Sequence, residues 1–285
     1  MYSIRILCGV VAALLCAPAA GQLSAPNSRG VAMGHLHYVV PDVAKTAGFW
    51  ETLGGRRLAI EVGELVFFPG VALLITQGEE ARENSQEAVV GHVAFRVESV
   101  AAIEARGIEV QYNDQFPGVV YVHTPDGERI ELFDDGTATN IGFDLDPGVE
   151  SAVALRHNAP LEAPIVTHHM HFYVPEGEVA AAQAWYVEHF SAAPGTRWRY
   201  TAADLPGINL NFSAVPEARA TTRGRMLDHI GFEIDGLEEF ARELEAKGIE
   251  FDSPYRQLPS GLGIAFLTDP WGTYIELTEG LDAID

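Results

Sequence analysis

Residues 34–42 read Gly34-His35-Leu36-His37-Tyr38-Val39-Val40-Pro41-Asp42, and residues 168–176 read His168-His169-Met170-His171-Phe172-Tyr173-Val174-Pro175-Glu176. Both stretches are typical of β-strands, in which residues two apart lie on the same face. His35 therefore shares a face with His37, and His169 with His171. Two imidazoles on the inward face of an apolar strand indicate either ligands of a bound ion or hydrogen-bonded core residues.

The two stretches open the first and third of four similar units with the order strand, helix, three strands. The halves of the chain match segment by segment, which indicates an internal repeat. The matched pairs are Gly91–Val97 with Asp228–Ile234, Glu104–Glu109 with Glu245–Glu250, and Thr124–Gly127 with Asp269–Gly272. The sequence therefore predicts an α+β protein with domains at 34–135 and 166–281. The segment 136–165, rich in Gly, Pro, Asp and Ala, is predicted to connect them.

Charge and composition exclude several classes of partner. The chain has 285 residues, 47% of them hydrophobic, and a formal net charge of −22 from 40 acidic and 18 basic residues. Such a surface repels nucleic acid and anionic membranes, so the expected partner is a small molecule. The acidic residues are spread along the chain, as on a solvated surface.

The N-terminus has the pattern of a secretory signal peptide. Arg5 precedes an apolar run, and the small residues Ala17, Ala19 and Gly21 follow it. We predict a signal peptide at 1–21, a flexible linker at 22–33, and a secreted or periplasmic protein. The apolar run is too short for a stable membrane span. The only two cysteines lie within this segment, and lipidation of Cys16 stays open.

Six residues of metal-binding type recur at matching positions in the repeats. Two imidazoles and one carboxylate bind a divalent transition metal and leave coordination positions open for substrate. A carboxylate inside an apolar cup is costly unless it is paired or coordinated. The alternative is that each carboxylate lies at an open end and is solvated. The predicted ligands are His35, His92 and Glu131 in the first half and His169, His229 and Glu276 in the second.

These motifs resemble the vicinal oxygen chelate superfamily, which includes glyoxalase I, extradiol dioxygenases and fosfomycin-resistance enzymes. The resemblance rests on a histidine seven residues before an acidic helix cap, on Gly91-His92, and on Pro125-Asp126-Gly127 leading to Glu131. It covers nearly all of the chain from Gly34 to Leu281. It implies that paired βαβββ modules form an open eight-stranded cup around a metal, with one cup in each half.

The sequence also departs from this family's patterns. Glyoxalase I and related epimerases carry an acidic fourth ligand, which can serve as a base, at positions that correspond to Leu74 and Asn211. Neither side chain can act as a base. The departure therefore favours a site with three protein ligands.

Three further residues are candidates for acid–base roles. His37 and His171 lie on the ligand-bearing strand faces, and their alternative role is hydrogen bonding at the cup mouth. Tyr121 matches a tyrosine of the extradiol dioxygenases, whereas Phe266 stands at the equivalent position of the second half. An additional histidine of those enzymes has no counterpart.

Two arginines of the second half are predicted to lie on the surface. Arg197 and Arg199 alternate on one predicted strand, beside many carboxylates. The favoured interpretation is surface ion pairing, and the alternative is contact with an anionic substrate.

The prediction is an exported, metal-dependent enzyme that chelates a small substrate through two adjacent oxygens. The favoured metal is Fe(II), with Mn(II), Zn(II) or Ni(II) as alternatives, and the favoured reaction is dioxygenase-like. The first alternative is a glyoxalase-type lyase or isomerase resembling lactoylglutathione lyase. The second is a metal-free binding or resistance protein. The substrate, the active half and the oligomeric state stay open.

Overall fold

The computed structural model describes residues 23–78 and 82–281. The predicted signal peptide lies outside these ranges. Among the described helices, none has the length and apolar character needed to cross a membrane.

The described chain forms α-helices and strands in the order that the repeats predict. The helices are α1 (Val43–Leu53), α2 (Val100–Glu104), α3 (Val179–Phe190) and α4 (Leu237–Ala246). The strands of the first two modules are β1 (Val31–Val40), β2 (Arg56–Ile60), β3 (Gly63–Phe68), β4 (Val71–Gln77), β5 (Val90–Val97), β6 (Gln111–Tyr112), β7 (Val119–His123) and β8 (Arg129–Asp134). The remaining strands are β9 (Asp144–Leu145), β10 (Ile165–Pro175), β11 (Ala193–Arg197), β12 (Tyr200–Leu205), β13 (Ile208–Val215), β14 (Leu227–Ile234), β15 (Phe251–Gln257), β16 (Gly263–Thr268) and β17 (Tyr274–Glu279).

Local capping chemistry sets the helix boundaries. The Asp42 side chain accepts a hydrogen bond from the Lys45 N–H at 3.0 Å, and Gly54, at φ 130°, ends α1. An acidic N-cap and a glycine after the last turn are both typical helix boundaries. Ser99 occupies the N-cap position of α2, where serine is a preferred residue, but its side chain makes no capping hydrogen bond. A carboxylate from β8, Asp134, accepts the Val100 N–H instead, at 2.8 Å.

The strands form two mixed sheets, each curved into an open cup. The first cup has the order β15-β16-β17-β14-β1-β4-β3-β2, and the second has the order β6-β7-β8-β5-β10-β13-β12-β11-β9. The predicted architecture, two cups each built from a pair of βαβββ modules, is confirmed.

The pairing of modules differs from the expectation of one cup in each half. β1 pairs with β14, so the first module joins the fourth, and β5 pairs with β10, so the second module joins the third. The ranges 34–135 and 166–281 are therefore halves of the chain, not separate cups. Modules adjacent in sequence meet instead through the core, where the rings of Trp50 and Phe95 lie 5.7 Å apart.

One hydrophobic cluster contains buried residues of all four modules. In the second half, the rings of Phe190 on α3 and Phe232 on β14 lie 4.9 Å apart. Each such aromatic pair contributes ~0.5–1.5 kcal/mol beyond its buried area. The outer faces of both sheets are thus used for packing. The inner faces remain for polar side chains.

The connecting segment is more ordered than its composition predicts. β9 pairs with β11 at the edge of the second cup, and a 3₁₀ helix forms at Ala154–Asn158. Phe143 is buried against Ala202 of that cup. The segment therefore covers one side of the second cup. At the other boundary, β1 begins at Val31, inside the predicted linker.

A buried carboxyl at the turn before β8 predicts a measurable pH dependence of stability. Glu128 is 1% exposed and accepts the Ser85 N–H at 3.0 Å. Burial raises the pKa of Glu128 from 4.5 to about 7, although the Ser85 hydrogen bonds and Arg129 act in the opposite direction. Its contribution to stability is therefore fully present below pH 4.5 and is lost as the pH rises through about 7.

We expect Glu128→Gln to have the same free energy of unfolding as the wild type at pH 4.5, and to exceed it by ~1–3 kcal/mol at pH 8. The amide keeps an oxygen for the Ser85 N–H but carries no buried charge. Urea unfolding at both pH values measures the difference. The exposed Glu87→Gln serves as control, and equal stability of Glu128→Gln and wild type at pH 8 would contradict the prediction.

Candidate metal centres

The structure brings the six predicted ligands together in two groups that differ from the predicted ones. His35 meets His229 and Glu276 in the first cup. The other group lies in the second cup, where His169 meets His92 and Glu131. The regrouping follows from strand pairing, because β1 lies beside β14, and β10 beside β5. Each group therefore combines one histidine from one half with a histidine and a glutamate from the other.

In the first cup the glutamate lies between the two imidazoles. Glu276 Oε2 is 3.0 Å from His35 Nε2 and 3.0 Å from His229 Nε2, and all three side chains are buried. Burial alone would raise the pKa of Glu276, but hydrogen bonds from His229 and His35 hold that pKa well below its usual value. Burial acts to lower the pKa of His229, and its hydrogen bonds to Asp228 and Glu276 raise it overall.

The second cup has the same three side chains in a looser arrangement. Glu131 Oε2 is 3.4 Å from both His92 Nε2 and His169 Nε2. Both of these nitrogens are buried without a hydrogen-bond partner. Burial acts to raise the pKa of Glu131, whereas His92 and nearby arginines lower it overall. Unpaired imidazole nitrogens that converge on a carboxylate are the donor set of a metal site.

The distances between donor atoms fit a divalent transition metal. Such a metal binds histidine nitrogen and carboxylate oxygen at ~2.0–2.2 Å, so adjacent ligands are ~3.0 Å apart in octahedral and ~3.4 Å apart in tetrahedral geometry. From the glutamate oxygen to each imidazole nitrogen, the distance is 3.0 Å in the first cup and 3.4 Å in the second. The carboxylate–imidazole distances of both cups therefore fit the predicted ion, and His92, His169 and His171 form a further group of converging donors in the second cup.

The two predicted acid–base histidines lie next to these groups. Hydroxyl groups hold the outer nitrogens: His37 Nε2 is 2.7 Å from Thr76 Oγ1, and His171 Nε2 is 2.7 Å from Ser213 Oγ. Burial, reinforced by His229, lowers the pKa of His37 to about 3. Burial also places the pKa of His171 well below its usual value, with His92 adding to the effect. Both imidazoles are neutral at pH 7.

The positions across from these histidines lack an acid. His37 pairs with Leu74 in the parallel register, and His171 pairs with Asn211. In the second cup, a ring nitrogen of His171 lies within 4.8 Å of donor nitrogens of both His92 and His169. His171 is thus close enough to serve as a further ligand there.

Tyr121 lies in the second cup, beside its candidate ligands. It pairs with Glu131 across β7 and β8, and its hydroxyl accepts a hydrogen bond from Asn113 Nδ2 at 2.9 Å. Burial raises the pKa of Tyr121, with Glu131 adding to the effect. The phenol therefore stays protonated at neutral pH and can donate a hydrogen bond into the cup.

Sequence reasoning missed Asp228. Its carboxylate accepts a hydrogen bond from His229 Nδ1 at 2.9 Å and pairs with Arg82. Strict alternation would place adjacent residues on opposite faces of the strand. A register shift between the His37–His229 and Tyr38–Leu227 pairs leaves Asp228 as the extra residue of a bulge. The carboxylate orients the imidazole, with Nε2 toward Glu276.

A glycine opposite His35 provides the space for that ring. A Cβ at Gly231 would lie 2.1 Å from both Nδ1 and Cε1 of His35. We expect Gly231→Ala to move the ring away from Glu276 and to remove the metal of the first cup. Metal analysis would then find about one equivalent instead of two.

The matched control is Gly48→Ala, because a Cβ at Gly48 meets no atom within 4 Å. The control should keep both metals, and both variants should retain the wild-type circular dichroism spectrum. A Gly231→Ala protein with two metal equivalents would show that His35 is not held in this position.

Comparison with known proteins agrees with this architecture. The structure of glyoxalase I from Zea mays has a TM-score of 0.62 at 18% identity and covers 89% of this chain and 94% of its own. A provisionally assigned dioxygenase from Bacillus subtilis has a TM-score of 0.58 at 13% identity and covers 90% of this chain and 86% of its own. At these identities the likeness concerns the fold. Among curated proteins, none matches the chain.

The family model named Glyoxalase/Bleomycin resistance protein/Dioxygenase superfamily matches residues 121–277. This range runs from the third strand of the second module to the last strand of the fourth. It includes Glu131, His169, His229 and Glu276. The chain belongs to the glyoxalase/bleomycin resistance protein/dioxygenase superfamily.

Proposed function

We propose that this protein is a divalent-metal enzyme that binds a small substrate through two adjacent oxygens, with a dioxygenase-like reaction favoured. One observation carries the proposal: each cup contains two histidines and one glutamate, with the glutamate oxygen 3.0 to 3.4 Å from a nitrogen of both imidazoles. Family membership supports it, because the family typically binds divalent metals and small molecules. The two-histidine, one-carboxylate set is the ligand set of non-haem Fe(II) oxygenases, so Fe(II) is the proposed metal.

When bound, the metal would supply Lewis acidity and a template for the two substrate oxygens. The chain's own residues supply the surroundings. His35, His229 and Glu276 would hold one ion, and His92, His169 and Glu131 the other. In the second cup, His171 is neutral and able to accept a proton from a substrate hydroxyl, and Tyr121 is able to donate a hydrogen bond. The hydroxyl of Ser213 fixes the orientation of His171.

The alternative is a glyoxalase-type lyase or isomerase. The observation that favours it is a neutral imidazole, His37, whose Nδ1 lies 3.2 Å from His229 Nε2. Such a group can remove a proton beside a carbonyl. Leu74, across from His37, cannot supply the acidic group that the glyoxalase I pattern has there. A metal-free binding protein would not need six converging ligands.

Export is part of the proposal and rests on the sequence pattern of residues 1–21. Mass spectrometry of the mature protein from its native cell, or from a bacterial host, tests it. We expect an N-terminus after Ala19 or Gly21. A full-length protein retained inside the cell would contradict export.

The test of function combines metal analysis with oxygen uptake. We expect the Fe(II)-loaded protein to consume oxygen with at least one member of a catechol panel, with both oxygen atoms entering the ring-opened product. His92→Ala and His229→Ala, tested separately, should each lower the metal content. If neither does, the metal sites are wrong. If metal binds but no catechol responds, the dioxygenase reaction is wrong, and formation of lactoylglutathione from methylglyoxal and glutathione tests the lyase alternative.

A further inference from the structure

A buried arginine in the second cup has no carboxylate partner. Arg197, at the end of β11, is 1% exposed. Its NH1 donates a hydrogen bond to the Asn140 carbonyl at 2.9 Å, and its Nε is buried without a partner. Within residues 23–78 and 82–281, no carboxylate lies within 4.0 Å of this guanidinium. The predicted surface ion pair is therefore absent, because the connecting segment covers the strand.

Two other arginines near the second cup, of which Arg96 is buried and Arg156 is partly buried, each have a carboxylate partner. Arg96 pairs with Asp135, and Arg156 pairs with Asp204. A charge of this kind is costly, since no carboxylate in direct contact offsets its loss of hydration. Burial lowers the pKa of Arg197 to about 10, with Glu131 acting in the opposite direction. The side chain is therefore still cationic at neutral pH.

The cavity beside Arg197 has the composition of an anion site with aromatic walls. It has a volume of about 230 Å³, and it contains the candidate ligands His92 and Glu131. Two guanidiniums, Arg129 and Arg197, line it against the single carboxylate of Glu131. Its aromatic walls are Phe116, Tyr121, Phe133, Tyr173, Trp198 and Tyr200. Flat aromatic walls favour a ring as the apolar part of a ligand.

The size of the cavity limits the ligand further. At ~30 Å³ per water molecule, it corresponds to about eight waters, which is the volume of one ring with two or three substituents. Larger ligands would have to displace Trp198 or the connecting segment.

The first cup has a different electrostatic character. Each arginine that lines the cavity beside it has a carboxylate partner: Arg82 with Asp228, Arg223 with Asp252, and Arg225 with Glu83. The side chains beside its ligands on the first module are apolar, as at Leu74 and Phe67. The unpaired cation is therefore a property of the second cup.

We propose that the second cup binds a small aromatic acid, and that the Arg197 guanidinium pairs with the carboxylate group of this ligand. The ring would lie among Tyr121, Tyr173 and Tyr200. An oxygen beside the carboxylate, or a vicinal oxygen pair, would face His92, His169 and Glu131. The metal-facing half of this assignment rests on the proposed function, whereas the contact with Arg197 needs no metal. Arg197 is thus a specificity residue that selects anionic rings from neutral ones.

The experiment compares benzoate with benzamide, which has nearly the same shape but no charge, on metal-free protein. Isothermal titration calorimetry measures binding, and intrinsic tryptophan fluorescence, to which Trp198 at the cavity contributes, is a second readout. We expect the wild type to bind benzoate about 10- to 100-fold more tightly than benzamide, the range of a charge-assisted hydrogen bond. Arg197→Met should remove this preference and leave benzamide binding unchanged. The matched control is Arg223→Met in the first cup, which should keep the full preference.

Further variants keep the test decisive. Arg197→Lys retains the charge but loses the planar fork, and benzoate affinity should fall between the wild type and Arg197→Met. Because a costly unpaired charge is removed, Arg197→Met should melt no lower than the wild type. Equal affinity of the wild type for benzoate and benzamide would overturn the proposal, as would an Arg197→Met protein that keeps the preference. If Arg197→Met does not fold, the wild-type preference and the Arg197→Lys result decide.

Failure of this inference is distinguishable from failure of the proposed function. A protein that binds metal at both triads but does not prefer benzoate lacks only the carboxylate site. A protein that prefers benzoate but binds no metal keeps the carboxylate site and refutes the metal enzyme.

Discussion

Metal analysis should find about two divalent ions per chain, and His35→Ala should remove the same ion as His229→Ala, because both side chains bind Glu276 of the first cup. We therefore expect about one metal ion per chain in each single variant. The double variant His35→Ala/His229→Ala should also retain about one metal ion per chain. Loss of a direct ligand should weaken binding by more than the ~10–100-fold that loss of an outer hydrogen-bond partner costs.

The decisive variant combines His35→Ala with His92→Ala. If the halves of the chain formed separate sites, these two histidines would share one metal, and the other half would keep its own. In the observed pairing they belong to different cups, so the double variant should retain almost no metal. Inductively coupled plasma mass spectrometry after desalting measures the metal content, and circular dichroism verifies folding.

The control for this series is His123→Ala, because His123 is an exposed histidine of β7 outside both groups. It should keep about two equivalents. A double variant His35→Ala/His92→Ala with one full equivalent would show that the triads do not cross between the halves.

Sequence predicted the four modules and the ligand-type residues because these depend on local patterns. Strand alternation places His35 and His169 on inward faces, and the turn before β8 positions Glu131 two residues into its strand. The pairing of modules is not a local property. His35 is equally compatible with His92 and with His229, because the two strands that carry them repeat the same motif. The choice depends on contacts between residues almost 200 positions apart, such as His37 with His229.

The burial of Arg197 and the position of Asp228 also depend on irregular structure, which leaves no periodic pattern in the sequence. The strand that carries Arg197 has the alternating pattern of an exposed strand. Arg197 is buried because the irregular segment around Asn140 covers it. Asp228 joins the first cup through a bulge, which breaks the alternation at that residue. Both residues act on the site through charge. What the sequence did not predict therefore concerns the specificity of the site more than the fold.

A buried carboxylate, Asp204, holds the connecting segment to the second cup. Removing this carboxylate should lower the stability of the protein substantially. Asp204 on β12 is 3% exposed. Its Oδ1 accepts hydrogen bonds from His157 at 2.9 Å, from Arg156 at 3.1 Å and from Asn209 at 3.2 Å. Arg156 and His157 belong to the 3₁₀ helix Ala154–Asn158, so one carboxylate joins this helix to the sheet.

We expect Asp204→Ala to lower the free energy of unfolding at pH 6 by ~2–4 kcal/mol, because Arg156, His157 and Asn209 lose the acceptor that they share. Burial raises the pKa of Asp204 to about 7, although Arg156 and Asn209 act in the opposite direction. A raised pKa means that ionisation costs stability in the folded state, so the loss should be larger at pH 6 than at pH 8, and urea unfolding at both pH values measures it. Asp252→Ala, which breaks a partly exposed pair with Arg223 at 3.7 Å, is the control and should change stability by ~0–1 kcal/mol.

A second substitution separates the loss of the carboxylate from the charge left behind. In Asp204→Ala, the Arg156 guanidinium loses its counter-ion and keeps the Leu205 carbonyl at 2.7 Å and the His157 Nε2 at 3.1 Å as close neighbours. Adding Arg156→Met removes that charge, so the double variant should recover ~1–2 kcal/mol relative to Asp204→Ala. A double variant less stable than Asp204→Ala would mean that Arg156 stabilises the fold through its carbonyl contact. An Asp204→Ala protein within 1 kcal/mol of the wild type would mean that the connecting segment is held by its apolar contacts, such as Phe143 with Ala202.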